Sequence, residues 1–126
     1  MTDLGVRGRR LLASLERQDT TLVNDDNPMR EVAVSAGRCA DRLERLEDLA
    51  AECEPWVTTD KGALITHPVL IEVRQQAALL ARLVTTLRLP DMKTGKRPQA
   101  RPPRGTHSSS AVSSLERARL RAEGGA

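Results

Sequence analysis

Apolar residues recur along residues 66–90 at alternating spacings of three and four, which is the heptad pattern of a long amphipathic helix. The positions on this seam are Leu70, Val73, Ala77, Leu80, Val84 and Leu87. Val69 and Leu83 add a flanking column, so the apolar face is wider than a two-stranded seam needs. A helix of this length cannot bury such a face alone, and we therefore expect it to pack on a partner helix.

The partner is a second heptad pattern that lies earlier in the chain. Its seam consists of Met29, Val32, Ala36, Cys39, Leu43, Leu46, Ala50 and Cys53. The opposite side carries alternating acids and arginines, and we interpret it as solvated surface with Asp41 and Arg45 as an i,i+4 ion pair. The predicted N-caps are Asp26 or Asn27 and Thr66, the first-turn prolines are Pro28 and Pro68, and the stops are Pro55 and Pro90.

Shorter elements are predicted around these two helices. Residues 3–18 form an N-terminal helix with Asp3 as its cap, and residues 19–27 form a polar connector. Residues 56–65 favour a small β-hairpin between the long helices, with Trp56 as its packing anchor. The predicted fold class is therefore mainly α: an antiparallel pair of long helices joined by a hairpin, preceded by a shorter helix.

The character of the chain changes after Pro90. Residues 91–126 are rich in proline, glycine, serine and basic residues without an apolar period, which predicts a flexible, disordered basic tail. Within it, residues 113–123 are compatible with a short partner-binding helix, because Ser113 and Glu116 match a capping box. We accordingly divide the chain into a helical domain, 1–90, and a tail, 91–126.

Composition indicates association. The chain has one tryptophan and neither tyrosine nor phenylalanine, so its core is thin for a self-sufficient globule. We expect copies to oligomerise through the later long helix, at Val69, Leu70, Val73, Leu80, Leu83 and Leu87. No apolar run approaches the ~20 residues of a membrane span, and no signal peptide is visible. Cys39 and Cys53 are expected to be small core residues in a reducing cytoplasm.

Side chains for catalysis or metal binding are not grouped in the sequence. His67 and His107 are far apart and have no second ligand at suitable spacing, so neither a metal nor another cofactor is expected. Residues 94–97 lack the upstream glycine and the following serine or threonine of a phosphate loop. We therefore predict that the chain is not an enzyme.

Two basic segments remain as candidate sites. The net charge is +3, and the segments consist of Arg7, Arg9 and Arg10, and of Lys93, Lys96, Arg97, Arg101 and Arg104. Cations that neutralise phosphates release counterions, so these segments predict salt-dependent binding to DNA. Two other readings stay open: the segments keep the protein soluble, and the arginine bias reflects a GC-rich coding genome.

Several stretches in order resemble the terminase small subunit of tailed phages, of the type common in actinobacteriophages. They are GVRGRRLLASL, CADRLERLEDLAAE, EVRQQAALLARLVTTLRLPD and TGKRPQARPPRG, and the most specific is LRLPD followed by TGKRPQ. The chain departs from the resemblance at NDDNPMREVAVSA, where a smoother apolar helix start is expected.

The resemblance implies a ring-forming homo-oligomer in the host cytoplasm. Such a ring binds double-stranded viral DNA and recruits and regulates the large terminase subunit, which holds the ATPase and nuclease. The alternative is a scaffold or adaptor of phage assembly that oligomerises without binding DNA.

Overall fold

Residues 3–99 and 114–125 are described by the computed structural model of the chain. In order, helix α1 (Val6–Gln18) is followed by a 3-10 turn (Thr20–Val23) and by the long helix α2 (Pro28–Glu52). Strands β1 (Trp56–Thr58) and β2 (Leu64–Thr66) form an antiparallel hairpin, then come α3 (Pro68–Thr86) and α4 (Ser114–Gly124). The predicted fold class is confirmed.

The caps of the long helices are side-chain acceptors, as the sequence predicted, although one residue differs. The Asn27 side chain accepts a hydrogen bond from the Met29 N–H at 3.0 Å, with Pro28 as the first residue of α2. At α3, His67 rather than Thr66 is the cap, because its Nδ1 accepts from the Val69 N–H. Both helices therefore start beside a proline, where the missing N–H costs nothing.

The α2–α3 pair is antiparallel and is joined at one end by the hairpin. The His67 N–H donates to the carbonyl oxygen of Pro55 at 2.9 Å, which closes the base of the hairpin. Midway along the pair, the Cys39 thiol donates to the carbonyl oxygen of Gln76. Leu87, which follows the far end of α3, is buried in a cluster that includes Ala33.

The apolar core lies at the end of the molecule where α1 packs across α2. Its buried members are Leu4, Leu12, Leu15, Leu22, Ala33, Val34, Ala36 and Leu87. Leu80 and Leu83 pack against this cluster from α3, so the C-terminal half of the predicted oligomerisation column is used within the chain. Val69, Leu70 and Val73 are half-buried.

At the hairpin end the apolar side chains are exposed. The paired residues Trp56↔Thr66 and Thr58↔Leu64 place Trp56 and Leu64 on the same face of the hairpin. They are 60% and 70% exposed, so the prediction that Trp56 anchors the hairpin is wrong. Further exposed apolar side chains nearby in sequence are Leu49, Ile65 and Ile71.

The N-terminus of α1 departs most from the predicted arrangement. Helix α1 begins after Gly5 and not at Asp3, and its orphan N–H groups meet a side chain from α2. The carboxylate of Asp41 accepts one hydrogen bond from the Gly5 N–H and one from the Gly8 N–H, each at 2.7 Å. Asp41 is only 8% exposed, so its assignment to the solvated face and to a pair with Arg45 is wrong.

Glycines permit this contact because the two helices approach closely. A Cβ at Gly8 would lie 2.6 Å from the carbonyl oxygen of Gly37, and one at Gly5 would lie 2.7 Å from the Asp41 carboxylate. A Cβ at Gly37 would in turn lie 3.1 Å from the Gly8 carbonyl oxygen. Gly5 and Gly8 therefore allow the Asp41 side chain to reach the backbone at the start of α1, although glycine weakens a helix.

We predict that Gly8→Ala destabilises the protein by about 1–3 kcal/mol, because the new methyl group overlaps backbone that cannot move independently. This loss exceeds the ~1 kcal/mol gain in helix propensity. Gly124→Ala is the matched control, since a Cβ there meets no other atom within 4 Å. Chemical unfolding followed by circular dichroism measures both, and equal stability of the two variants would contradict the crossing described above.

Candidate nucleic-acid interface

The three arginines predicted at the start of α1 do not form one site. Successive residues turn by about 100° around a helix, so Arg9 points roughly 200° away from Arg7. Arg7 donates to the Glu47 carboxylate at 2.5 Å, and this hydrogen bond raises the pKa of Arg7. Arg9 and Arg10 are exposed, and neither has an ion-pair partner in residues 3–99 or 114–125.

Arg17 adds a cation that the sequence reasoning did not include in the site. Positions 10 and 17 are seven residues apart, so Arg10 and Arg17 lie on one side of α1 about 10 Å apart along its axis. Arg17 is exposed and, like Arg10, has no ion pair within the described residues. The seven-residue spacing was the signal that could have identified this pair.

Residues 91–98 form a closed loop beside the end of α1, and not the start of a flexible tail. The Gly95 N–H donates to the Asp91 carbonyl oxygen at 2.8 Å, and the Asp91 N–H donates to the Lys96 carbonyl oxygen at 2.9 Å. Gly95 has a φ of +66°, a left-handed conformation that glycine adopts without strain. The Asp91 carboxylate accepts from the Lys93 N–H at 2.6 Å. The first part of the predicted tail, residues 91–98, therefore contains backbone hydrogen bonds.

Side chains from α1 and from the end of α3 hold this loop in place. The Gln18 amide donates to the Pro90 carbonyl oxygen at 3.2 Å. Arg97 donates to the Asp19 carboxylate at 2.8 Å and to the Arg88 carbonyl oxygen at 3.3 Å. The Arg88 guanidinium donates to the Pro98 carbonyl oxygen. The Arg97 side chain thus binds the backbone of Arg88, and the Arg88 side chain binds the backbone next to Arg97.

Asp19 is the buried centre of these contacts. It is 5% exposed and also accepts hydrogen bonds from the N–H and the hydroxyl of Thr21. Burial disfavours its charged form, but the hydrogen bonds from Thr21 and Arg97 outweigh burial and hold the pKa of the Asp19 carboxyl below its ordinary value. The pairing therefore contributes stability above the ordinary aspartate pKa and loses it only as the pH falls through the lowered value.

Lys93 and Lys96 project from the held loop. Both are exposed, and neither forms an ion pair with another residue in the described part of the chain. Because the Gln18 contact places the loop next to Arg17, the two lysines belong to the same end of the bundle. We call Arg10, Arg17, Lys93 and Lys96 the end patch. Arg101 and Arg104, also predicted to contact DNA, lie outside the described residues.

A second group of cations lies on α2. Arg38, Arg42 and Arg45 are exposed and, at spacings of four and three, share one face of the helix. Arg38 lies 3.4 Å from the Glu31 carboxylate, whereas Arg42 and Arg45 have no ion pair among the residues described. Asp41, which the sequence suggested was part of this solvated surface, instead accepts hydrogen bonds from the backbone at the start of α1.

Reactive side-chain types are engaged in structural roles. His67 caps α3, and burial raises the pKa of the Cys39 thiol, whose hydrogen bond goes to a backbone carbonyl. Cys39 and Cys53 are both free thiols. Over residues 3–99 and 114–125, no three histidine, cysteine, aspartate or glutamate side chains converge as a metal site. Within the same residues, no helix is both long and apolar enough to cross a bilayer.

Comparison with known proteins gives no match among protein-family models, curated proteins or solved structures.

Proposed function

We propose that the chain is the non-catalytic DNA-recognition subunit of a viral DNA-packaging terminase. In this role it binds double-stranded viral DNA and recruits and regulates the large ATPase–nuclease subunit in the host cytoplasm. The observation that carries the DNA-binding part is the end patch. Arg17 and the two loop lysines lie where α1 meets the 91–98 loop, and Arg10 lies about 10 Å further along α1. All four are exposed and have no ion pair within residues 3–99 and 114–125. The assignment to a terminase rests on the sequence resemblance.

Electrostatics favours the end patch over the residues first chosen. Arg7 and Arg97 already donate to Glu47 and Asp19, so a phosphate would have to displace a carboxylate at each. The four end-patch cations need no such exchange, and each phosphate that they neutralise releases counterions into solution. No aromatic side chain lies among them, which favours contact with a duplex backbone over stacking on single-stranded bases.

Association of copies is the second part of the proposal. Trp56 and Leu64 are largely exposed on one face of a two-stranded hairpin, and isolated hairpins of this size are marginal in water. Contact with further copies would remove this apolar surface from water. A ring would also repeat the end patch around its circumference, which multiplies the attraction for a polyanion.

The DNA-binding prediction is tested with Lys93→Gln/Lys96→Gln. We expect weaker binding to duplex DNA and a salt dependence, log K against log[salt], that is shallower by about two units, since ~0.9 is lost per phosphate contact. Fluorescence anisotropy over a salt series measures both quantities.

The matched control is Arg42→Gln/Arg45→Gln, which removes the same charge from α2. It should leave the slope nearly unchanged. Equal effects of the two double variants would mean that only net charge matters. If the unaltered protein has no measurable affinity at low salt, DNA binding is excluded, and the scaffold or adaptor alternative gains support.

The association prediction uses the single tryptophan. We expect light scattering to give a mass several times the 13.8 kDa of one chain, with Trp56 fluorescence shifting to shorter wavelength as the protein is concentrated. Leu64→Ser should lower the mass because it removes apolar surface beside Trp56. Val23→Ser, at an exposed valine near the opposite end, is the control. A monomer at micromolar concentration would contradict this part of the proposal.

A further inference from the structure

Arg97 differs from the lysines of its own loop in what it touches. One nitrogen of its guanidinium donates to the buried Asp19 carboxylate, and another donates to the Arg88 carbonyl oxygen. Lys93 and Lys96, a few residues earlier, are exposed without an ion-pair partner in the described residues. Arg97 therefore holds the loop in place, whereas Lys93 and Lys96 are exposed on its surface.

We propose that Asp19 and Arg97 form a clasp that fixes residues 88–98 against the end of α1 and so presents Lys93 and Lys96 to the phosphate backbone of duplex DNA. This inference rests on the proposed function and assigns Asp19 and Arg97 within it as positioning residues. Arg97 then acts by holding the loop and not by contacting a phosphate itself.

The clasp stabilises the buried negative charge of Asp19. Asp19 occupies the C-cap of α1, where the helix dipole disfavours a negative charge unless a cation is near. A carboxylate that is buried to this extent is also strongly destabilised if its cation is removed. Arg97 supplies the cation, and Thr21 donates two further hydrogen bonds to the carboxylate.

Fixing the loop in advance has a direct consequence for binding. A flexible basic segment loses backbone and side-chain freedom when it lies along a phosphate backbone, and this loss reduces affinity. A loop already closed by Asp91 and Gly95 and held by Gln18 and Arg97 loses much less. Arg88, whose φ of +49° is left-handed, lies where α3 gives way to the loop.

The same geometry could instead sequester a DNA-contacting arginine, and the two roles predict opposite signs. If Asp19 withholds Arg97 from phosphate, Asp19→Asn frees Arg97 and tightens DNA binding, whereas Arg97→Gln weakens it. If the pair is a positioning clasp, both substitutions weaken binding, and the double variant is no worse than either single one.

The first experiment follows the loop without DNA, by limited trypsin digestion of the full chain with mass spectrometry. Cleavage after Lys93 and Lys96 is normalised to cleavage after Lys61, in the hairpin turn of the same molecule. We expect Asp19→Asn and Arg97→Gln each to raise the ratio about tenfold, because proteolysis follows the population of the open loop. An unchanged ratio in both variants would overturn the clasp.

The second experiment measures the affinity of both single variants and the double variant for a duplex of about 30 base pairs at fixed salt. We expect each variant to bind about fivefold more weakly, without additivity. Tighter binding by Asp19→Asn would overturn the positioning role. If Asp19→Asn fails to fold, Arg97→Gln decides with the digestion assay, since Arg97 is half exposed and the Asp19 carboxylate keeps its two hydrogen bonds from Thr21.

The two experiments test the clasp and DNA binding separately. Faster cleavage in the variants combined with no DNA affinity in the unaltered protein would retain the clasp but reject both the proposed function and the presentation of the lysines to DNA. Normal DNA affinity in all variants would retain DNA binding and reject the positioning role.

Discussion

The carboxylate of Asp41 is the interaction on which the arrangement of the helices depends. Its two oxygens accept the N–H groups of Gly5 and Gly8 at 2.7 Å, so a side chain in the middle of α2 caps the start of α1. Charge-assisted hydrogen bonds to a helix N-terminus are strong, and they gain further from the helix dipole. Because the contact needs Gly5 at the N-cap of α1, Gly8 within α1 and Gly37 in α2, it fixes the crossing point of the helices as well as their distance.

The opposite end of α1 is held by a second buried aspartate. Asp19 follows the last turn and pairs with Arg97, which brings the 91–98 loop back to the bundle after α3. The exposed lysines of the loop therefore owe their position beside the end of α1 to a buried acid. Acidic residues therefore determine which basic residues are available. Asp41 fixes α1 on α2, Asp19 pairs with Arg97, and Glu47 pairs with Arg7. Within residues 3–99 and 114–125, the end-patch cations and Arg42 and Arg45 of α2 are among those without an ion pair.

Local sequence patterns were sufficient to predict the two long helices and the hairpin between them, and to limit the α2 cap to Asp26 or Asn27, because those features depend on neighbours in sequence. It failed at Asp41, since an i,i+4 pair with Arg45 and a contact with a distant helix N-terminus look alike in sequence. Glycine weakens a helix locally, but close contact with Asp41 explains Gly5, and close contact with Asp41 and Gly37 explains Gly8. The loop after Pro90 was missed for a similar reason: its composition is that of a tail, and its order comes from Gln18 and Asp19, which lie far away along the chain. For the candidate site, residue type identified the basic segments. Only the fold shows which cations, such as Arg7 and Arg97, already form ion pairs.

The most direct test of this account is hydrogen exchange at the first residues of α1, measured by NMR on the unaltered protein. Amides in the first turn of a helix have no partner within the helix and ordinarily exchange rapidly. If Asp41 caps the helix, the Gly5 and Gly8 amides exchange much more slowly than those of Val6 and Arg7, and Asp41→Ala removes the difference. Equal and rapid exchange at all four amides in the unaltered protein would contradict the account.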